Sequence, residues 1–158
     1  MTEVENIIHK AIVDSIVLDS VGENLPSFVL AHLKATPDCV KVLEKNGRIS
    51  FMSENGMCAM EIDDFSHVRN KVWWDLWPNE SQDLLMNAFQ GALSGATIEF
   101  EACCPTAMGR SRCWQVTVSP ILDCVGNVES VLAVSRDITG VCTEFNPCAG
   151  CNCSYEAA

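Results

Sequence analysis

Four cysteines, Cys142, Cys148, Cys151 and Cys153, stand in a C-x5-C-x2-C-x-C spacing within a segment too short to bury anything. Thiols concentrated away from a core suit soft-metal binding or redox exchange. Zinc usually draws on two well-separated ligand pairs, and a C-x-C step reaches a single tetrahedron only with help from a turn. Zinc, an iron–sulfur cluster and a reduced tail without structure are therefore all open readings. The remaining cysteines read differently. Cys39, Cys58, Cys113 and Cys124 occupy apolar or turn positions, where a thiol behaves as a small hydrophobe. Cys103 and Cys104 are adjacent, so on a strand they point to opposite faces; a bond between them would be strained, and both are read as thiols.

The constellations that catalysis needs are missing from the sequence. It has no G-x-S-x-G elbow, no phosphate-cradling glycine loop and no His pair at metal spacing. Asp63-Asp64 reads as charge at a helix start, and Glu99 with Glu101 as the solvent face of a strand. His67 lies between Ser66 and Val68 in a polar stretch and reads as a solvated surface residue, while His9 and His32 fall outside the central segment. The expectation is a non-enzyme with no catalytic residue.

Bulk properties narrow the partners. A chain of 158 residues that is 48% hydrophobic can fill one core without disulfides. A formal charge of -11 and a pI near 4.5 repel phosphate backbones and anionic bilayers, so neither nucleic acid nor membrane is expected as a partner. Glu3 and Glu5 stand where a secretory signal would carry Lys or Arg, and the apolar runs fall short of the roughly 20 residues of a spanning helix. The protein is read as soluble and cytoplasmic.

The elements follow from periodicity. Val4, Ile7, Ile8, Ala11 and Leu18 form one helical stripe over residues 4–18, with Val13 and Val17 almost opposite, so this helix has a second apolar face for a partner. Gly22 and Pro26 interrupt it, and residues 27–34 form a second short helix. Strands are expected over residues 39–43 and 48–53, joined by Glu44-Lys45-Asn46-Gly47, whose Asn-Gly supplies the positive φ angles of a tight hairpin. Short helices follow over 55–60 and 63–67. The Trp73-Trp74-Asp75-Leu76-Trp77 run then leads into a helix with Pro78 in its first turn, Asn79 and Gln82 at capping-box spacing, and a stripe of Leu85, Ala88, Phe89 and Ala92 ended by Gly95. Residues 97–104 alternate, with Ile98, Phe100, Ala102 and Cys104 on one face; Trp114, Val116 and Val118 mark the next strand, and residues 128–136 the last.

This order, together with Asn46-Gly47-Arg48-Ile49, Leu76-Trp77-Pro78, the strand from Val116 to Pro120 and the terminal Asp137-Ile138-Thr139, resembles a PAS sensory domain over residues 36–139. The resemblance implies an α+β fold: a five-stranded antiparallel sheet with short helices on one face and an N-terminal flanking helix. It also implies a ligand pocket between sheet and helices, with Phe51, Met60, Trp73, Trp74, Trp77, Phe89 and Trp114 as candidate lining residues. These aromatics would stack on a flavin or haem ring, or fill the pocket themselves. Asn55-Gly56-Met57-Cys58 does not match the reactive-cysteine motif of light-sensing flavin domains, and His67 is the one His in the helical part available as a haem ligand. Ser53 takes the place where PAS domains often carry an Asn that ties strand to helix, which implies a weaker tie or one made by Asn55.

Three segments follow: residues 1–35 as a dimerising helical flank, 36–139 as the sensory domain and 140–158 as a Cys-rich tail. Gly140 and Pro147 disfavour the output helix that usually follows Asp-Ile-Thr, and the expectation is a domain without an attached kinase, cyclase or DNA-binding module. The expectation is a homodimeric sensory box for signal transduction, binding a small ligand or sensing redox state and relaying it by contact with a separate kinase or regulator. The alternative is a metal- or redox-responsive protein that uses the tail cysteines, with the fold as a dimerisation scaffold.

Overall fold

The computed structural model describes residues 2, 4–5, 14–16 and 18–141. They divide into two compact units, Met1–Thr36 and Pro37–Ala158. In the first unit residues 4–5, 14–16 and 18–21 are helical, a 3-10 turn spans Gly22–Asn24, and helix α1 spans Leu25–Ala35. The helix starts two residues earlier than its apolar pattern indicates. Pro26 falls in the first turn, where a missing N–H has no intrahelical partner to lose. No residue of α1 is buried, and Leu25, Phe28, Val29 and Leu30 all stand exposed. Val13 and Val17, on which the second apolar face was argued, lie outside the described residues, as do Cys142, Cys148, Cys151 and Cys153.

The second unit is built on five antiparallel strands, β1 (Cys39–Leu43), β2 (Ile49–Met52), β3 (Ile98–Cys103), β4 (Cys113–Leu122) and β5 (Val128–Asp137), in the order β2-β1-β5-β4-β3. Period-two alternation decides which face each residue takes. Cys39 opposes Ser135, Lys41 opposes Ala133, and Val116 and Val118 oppose Ser135 and Ala133 from the other side, so these residues share the inner face. Ala102 joins them opposite Trp114, and Glu99 opposes Thr117 on the outer face.

The first hairpin differs from the two-residue form that Asn-Gly favours. The Gly47 N–H donates to Glu44 O at 2.8 Å, the Glu44 N–H donates to Arg48 O, and Gly47 alone in the turn has positive φ, +80°. A glycine is required there for a second reason: a Cβ would fall on the ring of Trp74. The Gly47 carbonyl also accepts from the Trp73 N–H at 2.9 Å, so the turn and the Trp run hold each other.

Helix α2 (Glu54–Ala59), two 3-10 turns (Phe65–His67 and Trp73–Leu76) and helix α3 (Asn79–Leu93) connect β2 to β3. Leu85, Ala88, Phe89 and Ala92 form the buried stripe of α3. Pro78 sits just before α3 rather than inside its first turn, and no side chain caps the helix. Gln82 instead donates from Nε2 back to Trp77 O at 3.1 Å. Gly95, at φ +96°, ends the helix by donating to Ala92 O. The buried stripe meets Leu43, Ile49, Val116, Val118, Val131 and Ala133 in one apolar core. Each such side chain removed from water contributes roughly 1.5–3 kcal/mol.

Candidate functional site

Strands β1, β2, β4 and β5 present Cys39, Lys41, Met52, Trp114 and Ser135 to a cavity of about 30 Å³, which Cys104 also lines. Met60, Ile62, Val68, Trp73, Leu76 and Trp77 close it from the helical side. By the rule that about 10–15 Å³ houses one water, the space takes roughly two waters or a guest of a few atoms. The walls as packed do not admit a flavin or a porphyrin. Trp73 and Trp77 meet edge to face at 6.3 Å, and Trp114 anchors its indole by donating Nε1–H to Cys104 O at 3.1 Å. His67, the candidate haem ligand, is exposed and does not line the cavity.

Of the residues expected to line a pocket, Met60, Trp73, Trp77 and Trp114 do so. Trp74 and Phe89 pack on each other at 5.3 Å between ring centroids, away from the cavity, with Phe89 in the core. Phe51 is 38% exposed on the opposite face of the sheet. The correction has a local cause. Leu43 pairs with Ile49 and Lys41 with Met52, and a register shift between Val42 and Leu43 reverses the alternation, turning Met52 inward and Phe51 outward.

Two residues that pattern reading passed over are polar members of a cavity wall that is otherwise almost wholly apolar. Lys41 is 7% exposed, and its Nζ donates to Cys39 Sγ at 2.7 Å. Among the described residues no carboxylate forms an ion pair with it. Ser135 Oγ and Trp73 Nε1 are buried without a hydrogen-bond partner. Cys104 adds a thiol whose pKa burial pushes up to about 11 against the opposing pull of the Lys41 charge. It is therefore a neutral thiol at physiological pH and no counter-ion for the lysine. The signal for Lys41 was present in the sequence: a lysine between Val40 and Val42 on a strand whose i±2 neighbours, Cys39 and Leu43, face the core.

Near the cavity other polar groups are paired within the fold. Ser53 makes the strand-to-helix tie itself: its Oγ accepts from the Val40 N–H at 3.1 Å and from the Gly56 N–H at 3.2 Å. Thr106 Oγ1 donates to Glu61 Oε1 at 2.8 Å, and the Ala107 N–H donates to Met60 O, fastening the loop after β3 next to Met60. At the end of β5, Thr139 Oγ1 accepts from the Cys113 N–H, Asp137 Oδ1 accepts from the Thr139 N–H, and the Ile138 N–H donates to Cys113 O. Asp-Ile-Thr thus clamps the start of β4. Cys103 and Cys104 point to opposite faces as expected; the partner that went unnoticed is Cys113, directly across from Cys103 with the two Sγ atoms 3.0 Å apart.

Among the described residues no group of three His, Cys, Asp or Glu side chains is placed to hold a metal, and no helix is long and apolar enough to cross a membrane.

Comparison with known proteins bears on the fold. No curated protein matches the chain. Among solved structures it is similar to the PAS domain of an HTR-like protein from Haloarcula marismortui, at TM-score 0.60 and 20% identity over 76% of this chain and 97% of that one. It is also similar to the PAS domain of a Colwellia psychrerythraea protein, at TM-score 0.65 and 13% identity over 73% and 98%. A third similar structure is Drosophila melanogaster Cycle PAS-B with bound ethylene glycol, at TM-score 0.55 and 8% identity over 63% and 98%. The family model described as PAS fold matches residues 33–141, which take in the whole sheet, the cavity and the Asp-Ile-Thr clamp; the chain belongs to the PAS fold family.

Proposed function

We propose that the protein is a sensory module whose signal is a small molecule held in the cavity between sheet and helices, and that it has no enzymatic activity of its own. PAS folds serve generally in signal sensing, and the observation that carries the reading is a cavity with apolar and aromatic walls containing buried polar atoms that no protein group satisfies. A guest would supply the missing partners. The ethylene glycol bound to Cycle PAS-B is support of a weaker kind, a small guest on the same fold.

The module acts in the cytoplasm as a homodimer and passes its state to a separate signalling protein. Leu25, Phe28, Val29 and Leu30 along α1, with Ile16 and Leu18 before it, are the apolar surface that favours pairing through the N-terminal segment.

The test is a screen of small neutral and charged compounds against the full chain, with the methionine methyl groups labelled for NMR. Met52 and Met60 line the cavity, whereas Met108 is 73% exposed. A bound guest should move the Met52 and Met60 resonances and leave Met108 in place. A screen in which no compound moves them overturns the reading.

A further inference from the structure

The geometry points to a small organic monoanion, a short-chain carboxylate, as the guest, held by Lys41 Nζ, Ser135 Oγ and Trp73 Nε1 with its alkyl end against Met52, Met60 and Ile62. This rests on the cavity reading above and names the ligand class.

Charge is the first part of the argument. A buried ammonium costs several kcal/mol of solvation unless it is paired, and it is kept in proteins mostly where an anion or a strong acceptor set meets it. Lys41 is more than nine-tenths buried on the cavity wall, and the one hydrogen bond it makes is to the sulfur of Cys39. The nearby Cys104 stays a thiol. The protein therefore supplies a cation to the cavity and no anion with it.

Hydrogen bonding gives the second part. Ser135 and Trp73 are lining residues of the same cavity, 2% and 0% exposed, and their Oγ and Nε1 atoms are buried without partners. An indole N–H can only donate, an ammonium can only donate, and a hydroxyl can do either; a carboxylate only accepts, with about four lone-pair sites on two oxygens. Cys39 stands directly opposite Ser135, so Lys41 and Ser135 are diagonal neighbours across β1 and β5, about 7–8 Å apart at Cβ, within the reach of one carboxylate group. The donor set matches that head better than it matches an amide or an alcohol, whose N–H or O–H would find an acceptor in Ser135 Oγ but none in the lysine or the indole.

Size and lining complete the argument. A cavity of about 30 Å³ leaves little beyond the carboxylate, and what remains is walled by thioether, aliphatic and indole surface. An acid of two or three carbons is the largest that suits this space, while a second charge on the guest would meet no cation among the lining residues.

The experiment titrates the full chain with propionate and with its neutral isostere propionamide, reading the Met52 and Met60 methyl resonances. Propionate should bind at least tenfold more tightly. Lys41→Met should remove that preference and bring the two affinities together, and Ser135→Ala should weaken propionate severalfold while changing propionamide less. Lys41→Gln, which removes the charge but keeps a donor, replaces Lys41→Met if the latter loses its native spectrum. Equal affinities in the native protein, or a preference for propionate that survives removal of the Lys41 charge, overturn the proposal. If other neutral compounds still move Met52 and Met60, the cavity reading stands and the anion assignment alone fails. If nothing of either charge moves them, both fail.

Discussion

Ser53 and Ser135 are buried to the same degree, 2% exposed, the first just past the end of β2 and the second on β5. Their surroundings are opposite. Ser53 Oγ receives two backbone N–H groups, from Val40 and Gly56, and so closes the end of β2 onto the start of α2. Ser135 Oγ, one strand beyond β1, receives nothing and donates to nothing. The two indoles repeat the contrast: Trp114 Nε1 is bonded to Cys104 O, while Trp73 Nε1 is orphaned. A buried hydroxyl or N–H without a partner costs about 1–3 kcal/mol, so a fold under selection for stability alone would pair these groups or replace them. Of the three orphaned buried atoms among the described residues, Ser135 Oγ and Trp73 Nε1 belong to cavity-lining residues and Arg112 Nε does not. At the cavity, then, the division is between groups bonded within the fold, its frame, and groups that a guest could meet.

Substitutions test the division most directly in the frame, where the largest effect belongs to Trp114. It is 1% exposed, belongs to the apolar core and carries the bonded indole. Trp114→Ala should destabilise the domain by about 3–5 kcal/mol, read by urea unfolding. A loss under about 1 kcal/mol would show that the surroundings collapse into the space, and would remove Trp114 from the frame.

The inner face was readable from sequence wherever alternation ran unbroken. Val116 with Val118 on β4, and Leu85, Ala88, Phe89 and Ala92 on α3, needed only the periods of strand and helix. Phe51 shows where that fails: between Ile49 and Phe51 strand β2 carries one residue more than β1 does, a bulge that reverses parity and that the alternation alone does not reveal. Lys41 and Ser135 were passed over because a lysine and a serine on a strand are ordinarily solvent-facing, whereas their places opposite Ala133 and Cys39 set both on the inner face. Ser53 was under-read for a different reason. A hydroxyl is shorter than an amide, but Gly56 brings the chain so near that a Cβ there would stand 2.9 Å from Ser53 Oγ, and the short side chain suffices. The Cys103 and Cys113 contact likewise depended on knowing which residues face each other across β3 and β4.

Ser53 carries the middle-sized expectation. Ser53→Ala would leave the Val40 and Gly56 N–H groups without their acceptor and remove the N-cap of α2, a loss of about 2 kcal/mol. Amide exchange checks the location of the effect as well as its size. Protection should fall first at Val40 and Gly56. If the global stability drops while those two amides keep their protection, the hydroxyl is not their acceptor in solution.

The smallest change is expected at Ser135, and it is the most informative about the division. Without a guest the hydroxyl has been taken out of water and given no protein partner, so Ser135→Ala removes a desolvation cost and a few atoms of packing at once. The two contributions oppose each other. The hydroxyl makes no bond that can be lost, and alanine beside Cys39 and Val116 leaves a methyl-lined wall in place of a polar one. The midpoint of unfolding should therefore stay within about 0.5 kcal/mol of the native protein, or rise slightly, although the residue is as buried as Ser53. The same substitution should matter once a guest is present, because it then deletes a bond that exists only in the complex. A loss of about 2 kcal/mol in the guest-free protein, equal to that at Ser53, would mean that Ser135 is satisfied within the fold and belongs to the frame.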